Sequence, residues 1–238
     1  MKPRIIFFPG LGADARLLDA QRGINAEIEV PAWIEPLPRE SLAEYSHRLA
    51  GTIDTSRPFY LGGVSFGGMI AQEVARHLKP RGLILISTCR RGRDLRRLRH
   101  TMLLPAYVTP PRVVSMSKWT MTFMRHAFGV VTAEQARLMN DMLYTTGSSF
   151  VLWCLRAIHS WQGADGLHMP IVQIHGRKDR IIPLRGVKPD HVIDGAGHIV
   201  NMTHPEEVNQ VISRWIDPSV TGASSPVKSA HEPTLNHI

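Results

Sequence analysis

Ser65, Asp179 and His198 are of the types that nucleophilic catalysis on a serine requires. A serine hydroxyl is a poor nucleophile at neutral pH. It needs a base to take its proton, and an imidazole acting as that base needs an acid to orient it. The most informative surroundings are those of Ser65, in Gly63-Val64-Ser65-Phe66-Gly67. Residues 58–64 are an apolar run that reads as a buried strand; from Phe66 onward, Met69, Ile70, Val74 and Leu78 recur at helical spacing until Lys79-Pro80 ends the pattern. Ser65 is therefore predicted at a sharp strand-to-helix corner, flanked by glycines where side chains would clash. A serine so held projects its hydroxyl above the sheet, beside the first free amides of a helix. This is the nucleophile-elbow pattern with its strand and helix both in place.

Asp179 and His198 follow predicted strands at 170–174 and 191–193, which puts both in loops at the C-terminal edge of a parallel sheet, where such sheets place their sites. Asp165, Asp190 and Asp194 compete for the acid role. Asp165 precedes its strand, and Asp194 is very near His198 in sequence, so Asp179 is preferred. Of 12 histidines, His198 is singled out by position, and His175 reads as a loop-support residue. Cys89 and Cys154 sit at no elbow and read as core cysteines.

The elements that must position these residues alternate along the chain. An apolar strand at 4–8 runs into the loop Pro9-Gly10-Leu11-Gly12-Ala13-Asp14, and a second strand is expected at 28–30. Ser41 and Glu44 form a capping-box pair before a helix whose apolar face is Leu42, Tyr45, Leu49 and Ile53. Residues 82–87 are continuously apolar, as in a parallel strand covered on both faces. From Arg90 the strand signals stop, and 94–104, 111–128, 132–144 and 148–162 all read as helices, the third with a Thr132/Gln135 capping box. Pro205, Glu206 and Glu207 open a last helix carrying Val208, Val211, Ile212, Trp215 and Ile216. Residues 217–238 have three prolines and no apolar period, and read as a flexible tail. Strand–helix alternation implies an α/β protein, a mostly parallel sheet of about six strands with helices on both faces. The expected units are a core of 1–89 and 166–216, a helical cap of 90–165, and the tail.

Composition narrows the class. The 238 residues, 43% hydrophobic and 20% charged, suit one large globular domain, and no stretch approaches a membrane span in length. Two cysteines suggest neither a disulfide framework nor a thiolate metal cluster, and a cytoplasmic location is the default expectation. Segment 90–165 holds eleven Lys/Arg against four acids, and so carries +7 of the net +8. Six arginines crowd into residues 89–100, which suits a solvated helix face, an anionic substrate, or a polyanionic surface such as lipid or nucleic acid. Six of the ten methionines also lie in 90–165, where they suit either an adaptable pocket or plain helix packing.

Residues 4–216 as a whole resemble an α/β-hydrolase with an inserted helical cap. Within them His175-Gly176-Arg177-Lys178-Asp179 is similar to that family's acid loop, Gly195-Ala196-Gly197-His198 to its histidine loop, and Gly10-Leu11-Gly12 to its oxyanion loop. The resemblance implies Ser65 as nucleophile, His198 as base, Asp179 as orienting acid, and the backbone amides of Leu11 and Phe66 as oxyanion donors. It has two departures: Pro9-Gly10 stands where the family usually has His-Gly, and the chain begins at what would be the third strand. The implied activity is hydrolysis of an ester or thioester of a small acyl substrate, an anionic one among the options, with no metal or organic cofactor and no nucleic-acid partner. The same fold also hosts carbon–carbon bond hydrolases, lyase-like synthases, acyltransferases and cofactor-free peroxidases, and a non-catalytic ligand-binding protein is the alternative from another class.

Overall fold

In the computed structural model, which describes residues 2–92, 126–217 and 219, six parallel strands form one sheet. They are β1 (Arg4–Phe8), β2 (Glu27–Glu29), β3 (Tyr60–Val64), β4 (Leu83–Ile86), β5 (Ile171–Gly176) and β6 (His191–Ile193), in the order β2-β1-β3-β4-β5-β6. The alternation and the strand number match the α/β-hydrolase architecture expected from the sequence. β1 and β4 are buried along their whole length, which is why they read as unbroken apolar runs instead of alternating ones. The chain leaves β1 toward β2, then returns across it to β3. The strand order thus reverses between β1 and β3, and the loops that follow these two strands both lie at the C-terminal edge of the sheet, where such sheets place their sites.

Two apolar clusters cover the two faces. On one, α1 (Leu42–Ala50) and α2 (Phe66–Val74) bury Leu42, Tyr45, Leu49, Met69, Ile70 and Val74 against Ile6, Phe8 and Leu61. On the other, Leu17 and Leu18 of a 3-10 segment (Ala15–Gly23) pack with Val208, Ile212 and Ile216 of a C-terminal helix (Pro205–Ile216) against Ile5, Phe7 and Ile84. The capping box of Ser41 and Glu44 is formed, with Ser41 N donating to Glu44 Oε2 at 2.9 Å and Glu44 N to Ser41 Oγ at 3.2 Å.

Between β4 and β5 the described residues include α3 (Ala133–Thr145) and α4 (Ser148–Ser160). The helix expected at 94–104 and most of that expected at 111–128 lie outside the described residues, as does nearly all of 217–238. Both described helices pack onto the sheet's own clusters, α3 through Ala136, Met139 and Met142 on one face and α4 through Phe150, Trp153 and Cys154 on the other. The α4 region is also tied by its indoles. Trp153 Nε1 donates to Glu40 O at 2.8 Å, and Trp161 Nε1 to the buried Glu73 Oε1 of α2 at 2.7 Å. The intervening segment is closed at its base, where Arg91 bridges Gly163 and Gly92 N donates to Gln162 O at 2.9 Å.

Two local differences from the sequence expectations have clear causes. α2 ends at Val74, not near Lys79, because its last turn tightens: Arg76 N bonds Glu73 O at 3.1 Å and His77 N bonds Val74 O at 3.0 Å. The 3-10 segment carries its buried Leu17, Leu18 and Gln21 with too short a repeat to read as a helix, and its start is set by Asp14, whose carboxylate accepts from Arg16 N at 3.0 Å.

Candidate active site

Ser65 joins β3 to α2 with φ 54° and ψ −116°, a conformation that costs a non-glycine residue on the order of 1–3 kcal/mol. The surroundings hold it there. Ser65 N donates to Ile86 O at 2.9 Å, and the Thr88 hydroxyl donates to Ser65 O at 2.7 Å. The elbow glycines are required by contact: a Cβ on Gly63 would lie 2.2 Å from the Gly67 carbonyl carbon, and one on Gly67 would lie 2.1 Å from Phe8 O. Thr88 is itself tied into the sheet through its carbonyl, which accepts from Gln173 Nε2 at 2.7 Å.

His198 and Asp179 are brought to Ser65 by two interlocked loops. Lys178 N donates to Ala196 O at 2.8 Å and Arg177 N to Ile193 O at 3.0 Å, while a Cβ on Gly176 would meet Gly197 O at 2.2 Å. The result is a line of three side chains. His198 Nε2 lies 2.9 Å from Ser65 Oγ, and His198 Nδ1 lies 2.8 Å from Asp179 Oδ2. An ionised carboxylate only accepts, so Nδ1 carries the ring proton and donates to it. Nε2 is then left with a lone pair that accepts the Ser65 hydroxyl.

Asp179 and His198 are buried, whereas Ser65 is half-buried. Asp179 Oδ1 accepts from the backbone amides of Ile181 and Ile182, each at 2.8 Å. Burial alone would push this carboxyl up. The neighbouring His198, together with hydrogen bonds from His175 and His198, outweighs burial and holds it well below the usual carboxylate range.

The turn at 10–13, closed by Ala13 N donating to Gly10 O at 3.1 Å, packs against the elbow, and a Cβ on Gly10 would lie 3.7 Å from Ser65 Cβ. It carries the Leu11 amide. Phe66 is the first residue of α2, so its amide has no acceptor within the helix. The competing acids are engaged elsewhere or exposed. Asp190 Oδ2 accepts from Arg90 Nη2 at 2.6 Å and from Gln173 N at 2.7 Å, Asp194 pairs with Arg177, and Asp165 is exposed.

Cys89 and Cys154 are both buried in one core cluster, as expected, and burial pushes the Cys154 thiol well up. Three neighbours carry no sequence signal of their own. Thr88 supports the elbow, the Phe128 ring meets His198 edge-on at 5.6 Å, and Leu143 of α3 sits over Gly12, 2.7 Å from where its Cβ would be. Each contact joins residues distant in the chain, so no local pattern could reveal it. The region 90–165 thus reaches the site from above through Phe128 and Leu143.

A family model described as the alpha/beta hydrolase family matches residues 5–211. No curated protein matches the chain. Among solved structures, a thermophilic esterase from Thermogutta terrifontis, determined with malate bound, has a TM-score of 0.67 at 20% identity, covering 92% of this chain and 91% of its own. The N-acyl homoserine lactonase AidH, complexed with N-butanoyl homoserine, gives 0.71 at 18% identity, with 95% and 93% covered. A hydrolase from Pseudomonas aeruginosa PA01 gives 0.67 at 16%, with 91% and 90% covered. With the family model spanning the sheet, the elbow and both partner loops, the chain belongs to the alpha/beta hydrolase family.

Proposed function

We propose that the protein is a serine hydrolase that cleaves a carboxylic ester or thioester through an acyl-enzyme on Ser65. The observation that carries this is the unbroken hydrogen-bonded line from Ser65 Oγ to His198 and on to Asp179, with 2.9 and 2.8 Å steps, on a strained elbow. Ser65 Oγ attacks the acyl carbon as its proton passes to His198 Nε2, and Asp179 stabilises the imidazolium so formed. The amides of Leu11 and Phe66 receive the developing oxyanion. Collapse expels the alcohol or thiol, which takes the proton from His198. Water then attacks the acyl-enzyme, again giving its proton to His198, and collapse releases the carboxylic acid as Ser65 Oγ takes that proton back. No step needs a metal or an organic cofactor.

In the same proposal residues 90–165 form a cap that shapes the acyl pocket. The closed base at Arg91 and Gly163 and the approach of Phe128 to His198 and of Leu143 to Gly12 support it. The esterase and lactonase among the structural neighbours act on acyl compounds by name, which favours the same substrate class here. The test is turnover of p-nitrophenyl esters. Ser65→Ala and His198→Ala should each lower kcat by about 10⁴-fold with folding intact, and the double variant should be scarcely worse than either, because the three residues act as a unit. Full activity in Ser65→Ala would exclude the acyl-enzyme.

A further inference from the structure

Asp179 Oδ2 is shared between two histidines. His198 Nδ1 stands 2.8 Å away and His175 Nε2 3.0 Å away. The same His175 Nε2 lies 2.7 Å from Ile182 O. A carbonyl oxygen only accepts, so Nε2 is the protonated nitrogen of His175; its N–H is directed to Ile182 O, and Asp179 Oδ2 is the second oxygen beside that nitrogen. Nδ1 of His175 is buried with no hydrogen-bond partner among the described residues, which fits a ring with its single N–H on Nε2. His175 is 0% exposed and sits inside β5, paired with Val192 of β6, so the ring is carried on the sheet and not on the loop. For filling space alone, a hydrocarbon side chain would serve without leaving a buried nitrogen unpaired. What the imidazole adds at this position is a protonated nitrogen 3.0 Å from the oxygen that His198 uses.

We propose that His175 is a positioning residue of the site: its Nε2–H fixes the rotamer of the Asp179 carboxylate and takes up part of the negative charge on Oδ2 that would otherwise act on His198. The proposal rests on the assignment of Ser65, His198 and Asp179 above and adds a fourth member behind them. Among the described residues, the other charged or titratable groups nearby do not share this oxygen. Arg177, Lys178 and Arg180 of the same loop are exposed, with Arg177 on Asp194 and Arg180 beside His126, and the element above His198 presents the apolar ring of Phe128. A carboxylate that keeps more of its charge for His198 stabilises the imidazolium more strongly. Losing the His175 N–H therefore makes His198 hold its proton to higher pH.

The experiment compares three variants with the wild type. His175→Leu removes the N–H. His175→Asn carries an amide N–H only as far as Nδ1 reaches, and His175→Gln carries one about as far as Nε2. Two readouts are taken: the acid limb of kcat/KM against pH for a p-nitrophenyl ester, and the titration midpoint of His198 by NMR of the labelled imidazole. In His175→Leu and His175→Asn both should move up by about 0.5 pH unit or more, with kcat/KM at pH 6 falling by roughly 3- to 10-fold, and His175→Gln should return both most of the way. If His175→Leu does not fold, the matched polar pair of Asn and Gln decides the matter. Unchanged midpoints in Leu and Asn, a downward shift, or a Gln variant indistinguishable from Asn would each overturn the proposal and leave His175 as packing. The NMR midpoint does not depend on turnover, so an absence of ester hydrolysis would count against the proposed reaction while the role of His175 was still decided.

Discussion

At the scale of single residues, Asp179 is surrounded by four nitrogens, two backbone amides donating to Oδ1 and two imidazoles beside Oδ2, and this governs a pH dependence. Its carboxyl lies below the ordinary value of 3.8 when folded, despite burial, because His198 and His175 outweigh the desolvation. The unfolded chain therefore binds this proton at higher pH than the folded one. The associated stability is fully present above about pH 4 and is lost as pH falls from there toward the folded value. Asp179→Asn should flatten the urea-unfolding stability between about pH 4 and pH 2.5, and should lower kcat by about 10³- to 10⁴-fold at neutral pH because His198 loses the acceptor that fixes its tautomer. A stability profile in that range identical to the wild type would show that Asp179 is not the titrating group. Ser65, Asp179 and His198 were legible in the sequence because each has local context: an elbow between glycines, or a loop after an apolar strand. Thr88 was not legible, and for His175 only a supporting role was, because their partners lie 23 residues away for Thr88 and in the folded acid loop for His175.

At the scale of elements, what the sequence carries most clearly is capping and continuous apolar runs. The Ser41/Glu44 and Thr132/Gln135 boxes are both formed, and β6 falls at the expected 191–193. The 3-10 segment Ala15–Gly23 is harder to read because its lining is fixed by partners far along the chain: Asn201 Nδ2 donates to Leu17 O at 2.7 Å and Gln21 Nε2 to Asn201 O at 2.9 Å. The junction of β4 with the elbow gives the prediction at this scale. Thr88→Val keeps the shape beside Gly68, where a Cβ would already meet Thr88 Cγ2 at 2.5 Å, but removes the hydroxyl that holds Ser65 O. The variant should lose about 1–2 kcal/mol of stability and roughly 10-fold in kcat/KM, and Thr88→Ser should recover most of the activity. Wild-type kinetics in Thr88→Val, measured alongside its melting temperature, would show that the elbow does not need the Thr88 hydroxyl.

At the scale of the whole molecule, the sheet reversal between β1 and β3 gathers the Leu11 turn, Ser65, Asp179 and His198 at one edge, and no helix among the described residues is long and apolar enough to cross a membrane. The concentration of charge in 90–165 divides on inspection. Arg90 is paired with Asp190, whereas Arg91 bridges Gly163 through its backbone and keeps an exposed side chain. The remaining arginines of the run, Arg93, Arg96, Arg97 and Arg99, lie outside the described residues and carry the proposal that anionic acyl substrates are preferred. Matched neutral and carboxylate-bearing esters should then differ in kcat/KM, and the difference should shrink between 0.05 and about 0.5 M salt and in Arg96→Ala/Arg97→Ala, since exposed charges are screened over about 10 Å at 0.1 M. Equal rates insensitive to salt and to both substitutions would return the run to a solvated surface.

The central claim is that Ser65 is a covalent nucleophile, and it is tested most directly by trapping. Incubation of the full chain with a fluorophosphonate, followed by peptide mass spectrometry, should place one phosphonyl adduct on Ser65, with labelling abolished in Ser65→Ala and strongly slowed in His198→Ala. An unlabelled wild type, or an adduct that persists in Ser65→Ala, would contradict the account.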